Sequence, residues 1–171
     1  MDKNTCRIAA ETGNLAVLQW ARGQGCPWDA QTCAIAAGNG HLAVLRWARA
    51  KGCPWDECTC SRAASSGYLA VLQWARAQGC PWDEWTCTNA AEKGHLAVLQ
   101  WARAQGCPWD NTVLYYAKVY GYQEILQWAR AKGCPYNNYS DDDGDTDNDD
   151  DRDNAKCFNN LPSVLMICRG F

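Results

Sequence analysis

The 171-residue chain is poor in several residue types that carry chemistry. It has two methionines, two phenylalanines and only two histidines, His41 and His95. Those histidines share one repeated position with Asn14, Tyr68 and Tyr122, so no general base is indicated. Neither a glycine-rich phosphate loop nor a G-x-S-x-G stretch occurs, and the common signatures of phosphoryl and acyl transfer are therefore missing. The expectation is a protein that is not an enzyme and has no catalytic residues. No apolar run approaches the ~20 residues that cross a bilayer, and MDKNTCRIAAETG lacks the charged-then-apolar pattern of an export signal. These absences predict an intracellular protein, in the cytoplasm first and the nucleus second, without a membrane partner.

Paired cysteines are missing as well. Zinc needs four converging ligands, usually supplied by closely spaced pairs such as C-x2-C. None of the twelve cysteines forms such a pair; the recurring spacing is Cys-x6-Cys. Without an export signal they read as reduced thiols. No metal and no cofactor is expected, and Cys53, Cys58 and Cys60 form the only local trio worth a metal assay.

Charge is sparse and unevenly placed. Residues 1–136 carry +3 and residues 137–171 carry −6, for a net −3. Neither value resembles the basic footprint of a nucleic-acid binder.

What the chain does have is a period. Asp2, Asp29, Asp56, Asp83 and Asp110 open five copies of a 27-residue unit, with glycines at mid-unit (Gly13 to Gly121) and near the end (Gly25 to Gly133). One unit reads DEWTCTNAAEKGHLAVLQWARAQGCPW. Fixed self-similarity at this length is the signature of a stacked array. The units span about 2–28, 29–55, 56–82, 83–109 and 110–136.

Each unit holds two helical stretches. The first runs from Thr86 to about Glu92 in the fourth copy, with Asp83 placed to accept a hydrogen bond from an orphan N–H. Its apolar stripe is Cys87, Ala90 and Ala91. The second, HLAVLQWARAQ, ends at Gly106, where glycine can take the left-handed conformation and Pro108 blocks continuation. At about 100° per residue, Val98, Leu99, Trp101 and Ala102 form a broad apolar arc, with Gln100 and Arg103 on a narrow polar strip. An arc this wide needs cover from stacked neighbours. A lone 27-residue unit cannot bury enough surface to fold, so the array is the folding unit.

TCTNAAEKGHLAVLQWARAQGCPWD resembles the ankyrin repeat. AAEKGHLAVLQ matches that family's A-A-x-x-G-H-L-x-V-V, and GCPWD stands where the family has G-A-D-V-N. The likeness covers residues 2–136, and similar short CPWD-type arrays occur in proteins of large DNA viruses and protists. It implies an all-α, ankyrin-like α-solenoid of five stacked helix-turn-helix repeats that binds a protein partner. Ankyrin units usually take about 33 residues; the residues missing here fall between CPWD and TC, where the family has its β-hairpin finger. The fingers are expected to be trimmed to tight turns.

The repeats also carry an internal control on the cysteines. The fifth copy has Leu114 where the others have Cys6, Cys33, Cys60 and Cys87, which marks a small apolar core position. Cys26, Cys53, Cys80 and Cys107 stand where the resembled family has alanine. Trp28, Trp55, Trp82 and Trp109 read as wedges between units, each burying ~2–3 kcal/mol of apolar surface. The arginine row Arg22, Arg49, Arg76, Arg103 and Arg130 falls on the polar strip and is expected to be solvated, partly balanced by the aspartates.

Variation between copies concentrates on one face of the first helices, at i, i+3, i+4 and i+7. In register, these faces make one continuous surface. Gln31, Ile35, Cys58, Arg62, Trp85, Thr88, Asn89, Glu92, Tyr115 and Tyr116 are its partner-binding candidates, with Arg62, Trp85, Tyr115 and Tyr116 taken as exposed anchors. The chain is read as a monomer.

Residues 137–156 are acidic and nearly devoid of apolar side chains, and read as a disordered linker. Counting back from Gly144 puts Tyr139 where a calcium loop needs its first ligand, and no glutamate closes the loop. Residues 157–171 are apolar again. Their LPSVLMI resembles the opening of an F-box motif, which implies an alternative role as a substrate adaptor for a ubiquitin ligase.

Overall fold

The chain divides into two units, Met1–Asn137 and Asn138–Phe171. The computed structural model describes residues 3–136 of the first and Cys157 of the second. The expected acidic linker, the calcium-like stretch and the F-box-like segment lie outside the described residues.

Ten helices and no strands make up the described residues, two helices per repeat. The first helices are α1 (Lys3–Glu11), α3 (Ala30–Gly38), α5 (Glu57–Ser65), α7 (Glu84–Glu92) and α9 (Thr112–Val119); the second are α2 (Leu15–Gly23), α4 (Leu42–Ala50), α6 (Leu69–Ala77), α8 (Leu96–Ala104) and α10 (Gln123–Ala131). Each first helix packs on the next, α1 on α3, α3 on α5, α5 on α7 and α7 on α9, and also on its own second helix. Small residues permit that approach. Cys60, Ala63, Ala64, Cys87, Ala90 and Ala91 are all fully buried. Leu18, Leu45, Leu72 and Leu99, one on each of α2, α4, α6 and α8, are the largest fully buried side chains, followed by Ile125 on α10.

The GCPW stretch is a helix stop. After α6, Gly79 takes φ +81, its N–H donates to Arg76 O at 2.9 Å, and the Cys80 N–H reaches back to Ala75 O at 3.0 Å. That pair of bonds closes the orphan carbonyls in a Schellman motif. Cys80 supplies the accompanying apolar contact from a fully buried position, and Pro81 prevents further helix. The chain then reaches α7 through Cys80–Asp83 alone, so no β-hairpin finger is present between these units.

Mid-unit stops use the same geometry with an added constraint. Gly67, at φ +77, lies under the ring of His95 in the following unit, where a Cβ would fall 2.8 Å from Cε1. His95 Nε2 is 3.1 Å from Ser65 O at the end of α5, and His41 repeats the contact with Glu11 O at 3.0 Å. His41 and His95 therefore tie the second and fourth units to the C-terminus of the preceding first helix.

The expected aspartate cap differs in detail. Asp83 occupies the cap position in extended backbone, but its carboxylate makes no cap hydrogen bond. Its backbone carbonyl instead accepts from the Thr86 N–H at 3.2 Å. Burial, then the nearby Glu84 and Glu57, push its carboxyl up to about 6.

Candidate functional site

Three rows of side chains run across the stacked helices: thiols inside, arginine–tryptophan clamps along the second helices, and the variable face of the first helices.

The thiol row is interior. Cys6, Cys26, Cys33, Cys53, Cys60, Cys80, Cys87, Cys107 and Cys134 are buried free thiols. Eight of them pair within their units, each first-helix thiol with the thiol of the GCPW stop, while Cys134 has Leu114 in the place of a partner thiol. Cys53 hydrogen-bonds Cys33, and that contact together with burial drives its ionisation far upward. Cys60 with Cys80 and Cys87 with Cys107 behave in the same way. Cys6 is pushed up to about 12, chiefly by burial. Cys53 and Cys60 thus face different partners, and the local trio with Cys58 is not brought together. Among the described residues no three His, Cys, Asp or Glu side chains converge on a point that could hold a metal ion.

The arginine row is not a solvated strip. Arg22, Arg49, Arg76 and Arg103 fold over the rings of Trp28, Trp55, Trp82 and Trp109, with each guanidinium carbon 3.9–4.3 Å from the ring centroid. Each also donates from Nη1 to the carbonyl of Cys26, Cys53, Cys80 or Cys107 in its own GCPW stop. A helical wheel gives the direction of Cβ, whereas a four-carbon-long arginine reaches back over apolar surface and keeps only its head polar. Arg130 has no tryptophan below it in sequence and is exposed.

Those tryptophans are half-buried and pack against the core. Each meets the second-helix tryptophan of the next unit edge-on: Trp28 with Trp47, Trp55 with Trp74, Trp82 with Trp101 and Trp109 with Trp128, at 5.7–6.0 Å and 67–69°. CPWD is therefore a joint, half helix stop and half inter-unit contact. Between the second and third units Arg46 adds a longer approach to Trp74, 5.6 Å, and with Arg49, Ala50, Trp55 and Gln78 it lines a groove of about 380 Å³.

The first-helix face is uneven. Tyr115 is 48% exposed and Gln31, Glu92 and Tyr116 are partly exposed, but Ile35, Cys58, Arg62, Trp85, Thr88 and Asn89 are buried. The reading of Arg62 and Trp85 as exposed anchors is thereby corrected. Part of the cover is lateral, because adjacent first helices approach closely. A Cβ at Gly38 would meet Arg62 Cβ at 3.2 Å, Arg62 Nη2 lies 3.4 Å from Gln31 Oε1, and Thr88 Oγ1 is 2.7 Å from Thr112 Oγ1. Burial pushes the Arg62 guanidinium down to about 10. Periodicity assigns a residue to a face but says nothing of the spacing between faces.

The open parts of this face lie at its ends. Ile8 on α1 is 57% exposed and Val119 on α9 is 56% exposed. On α9 and just beyond it, Tyr115, Tyr116, Tyr120 and Tyr122 form a chain of ring contacts at 5.2, 6.2 and 6.3 Å. Sequence reasoning singled out Tyr115 and Tyr116 but missed Tyr120, whose signal is an aromatic one helical turn beyond Tyr116.

The array superposes on the human ASB11 ankyrin repeat domain with a TM-score of 0.62, over 75% of this chain and 69% of that one, at 17% identity. The fold is that of an ankyrin repeat array. No family model and no curated protein matches the sequence. At 17% identity the likeness is one of fold alone. The ankyrin array described here differs from the familiar unit in joining its repeats without β-hairpins.

Proposed function

We propose that the chain is a non-catalytic protein-binding module whose partner engages the first-helix face. One observation carries this reading. The second helices and their GCPW stops repeat nearly unchanged, α6 and α8 being identical in sequence, while the variation from unit to unit concentrates on one face of the first helices. An array of this kind binds along an extended surface of stacked repeats, and its fold leaves partner choice to the side chains displayed there. The accessible anchors are the tyrosine chain on α9 and Ile8 on α1. Tyrosine supplies large contact area at low conformational cost and is enriched at binding hot spots. The buried middle of the face, with Arg62 bridged toward Gln31, holds the row in one geometry between those anchors.

The test is a pull-down with mass spectrometry of bound proteins, comparing the native sequence with Tyr115→Ala/Tyr116→Ala and with a control on the second helices, Gln73→Ala/Gln100→Ala. Loss of a partner in the tyrosine variant alone, at unchanged helicity, supports the first-helix face. Equal retention by both, or loss in the control alone, moves the working surface elsewhere.

A further inference from the structure

The second helices of the three inner units are near copies. α6 and α8 both read LAVLQWARA, and α4 reads LAVLRWARA. The one departure is Arg46, at a position held by Gln19, Gln73, Gln100 and Gln127 in the other units. It brings a second guanidinium to a single joint, where Trp55 and Trp74 meet edge-on. Arg49 lies 4.0 Å over the Trp55 ring and donates from Nη1 to the Cys53 carbonyl, as the other clamp arginines do. Arg46 stands farther out, 5.6 Å from the Trp74 centroid against 3.9–4.3 Å for the clamps. It is exposed, and among the described residues it makes no hydrogen bond and no ion pair. The groove of about 380 Å³ that these four side chains form with Ala50 and Gln78 has no acidic residue in its lining.

We propose that this groove is a binding site for an aryl phosphate, presented as a phosphotyrosine side chain of a partner protein. Two guanidinium groups without a carboxylate between them call for an anion. Arginine's planar fork matches phosphate oxygens in pairs, and a phosphoryl group near pH 7 carries close to two charges with three acceptor oxygens, enough for Arg46 and for the donors Arg49 keeps beyond Nη1. The rings of Trp55 and Trp74 ask for a flat apolar body below that charge, since aromatic pairs gain beyond their buried area. Phosphoserine supplies the anion without the ring, and tyrosine the ring without the anion. A groove of this volume is at the small end of ligand pockets and takes one side chain. The site lies on the second helices and stands whether or not the first-helix face binds a partner.

The test is titration of the full chain with acetyl-phosphotyrosine amide, followed by the tryptophan indole N–H signals in two-dimensional NMR, beside acetyl-tyrosine amide, acetyl-phosphoserine amide and inorganic phosphate. The first binds with a dissociation constant on the order of 100 µM, in keeping with a ligand of this size, and moves the signals of Trp55 and Trp74. The other three bind at least about tenfold more weakly, each lacking the charge-assisted contact or the ring contact. Arg46→Gln makes α4 identical to α6 and α8, so its fold is that of its neighbours, and it weakens phosphotyrosine binding roughly 10- to 100-fold, the effect of one lost hydrogen-bonded charge contact. Gln73→Arg writes the same lining into the next joint, where Arg76, Ala77, Trp82, Trp101 and Gln105 already stand; it adds a second site, and the Trp82 and Trp101 signals then move as well. A native chain that binds none of the probes, equal binding of phosphoserine or inorganic phosphate as at an unselective cationic patch, unchanged affinity in Arg46→Gln, or no second site in Gln73→Arg would each overturn the proposal.

Discussion

Trp82→Ala probes the joint most directly. Trp82 is half-buried against the core, meets Trp101 edge-on at 6.0 Å, and carries Arg76 3.9 Å above its ring. Half of a large side chain's burial is worth about 1–1.5 kcal/mol, the edge-on pair about 0.5–1.5 kcal/mol, and the partly exposed cation over the ring about 0.5–1 kcal/mol. The change should therefore cost about 2–4 kcal/mol, a large fraction of the stability of a small array. Trp20→Ala removes the same side chain from a second-helix position where it is 56% exposed and should cost under about 1 kcal/mol. Urea unfolding followed by far-ultraviolet circular dichroism measures both, avoiding tryptophan fluorescence, which the mutations themselves alter. A double-mutant cycle with Arg76→Ala should return a coupling to Trp82 of about 0.5–1 kcal/mol. Equal costs at Trp82 and Trp20, or no coupling to Arg76, would refute the joint as described.

Further expectations follow from the same structure. Gly67→Ala puts a Cβ 2.8 Å from the His95 ring, so it should destabilise the array well beyond Gly79→Ala, where φ is also near +80 but no atom lies within 4 Å and only the left-handed penalty of roughly 1–2 kcal/mol applies; thermal unfolding of the two variants decides. Asp83, held up to about 6 by burial, binds a proton more tightly folded than unfolded, so stability should fall as pH rises from about 4 through 6. Asp83→Asn should flatten that part of the profile, and an unchanged slope in urea titrations across pH would count against a buried carboxyl there. Burial and neighbouring thiols oppose ionisation of Cys87 and Cys60, so their alkylation by iodoacetamide in native buffer should wait on unfolding. Rapid labelling of either, read by peptide mass spectrometry, would contradict the interior placement.

The architecture was legible because the period repeats every constraint five times. Gly79, Cys80 and Pro81 carry a stop, and the fully buried Leu72 and Leu99 follow from the apolar arc of their helices. Three features were not legible. The arginines were placed on a solvated strip because a helical wheel fixes where Arg76 begins and not where its guanidinium ends. Trp85 and Arg62 were taken as exposed because periodicity is blind to the distance between neighbouring first helices, which Gly38 and its neighbours make short. His41 and His95 were set aside because Asn14, Tyr68 and Tyr122 share their repeated position, although a ring placed 28 positions after a glycine recurs through the array and covers that glycine, the two histidines also holding a carbonyl beside it.

Because every internal joint is built from the same few residues, the molecule is indifferent to how many units it holds. Loss or gain of one whole 27-residue block leaves each remaining Trp–Trp contact, glycine seat and helix stop with the partner chemistry it had before. The first-helix face can therefore lengthen or shorten by whole units, while the side chains displayed on it change by point substitution.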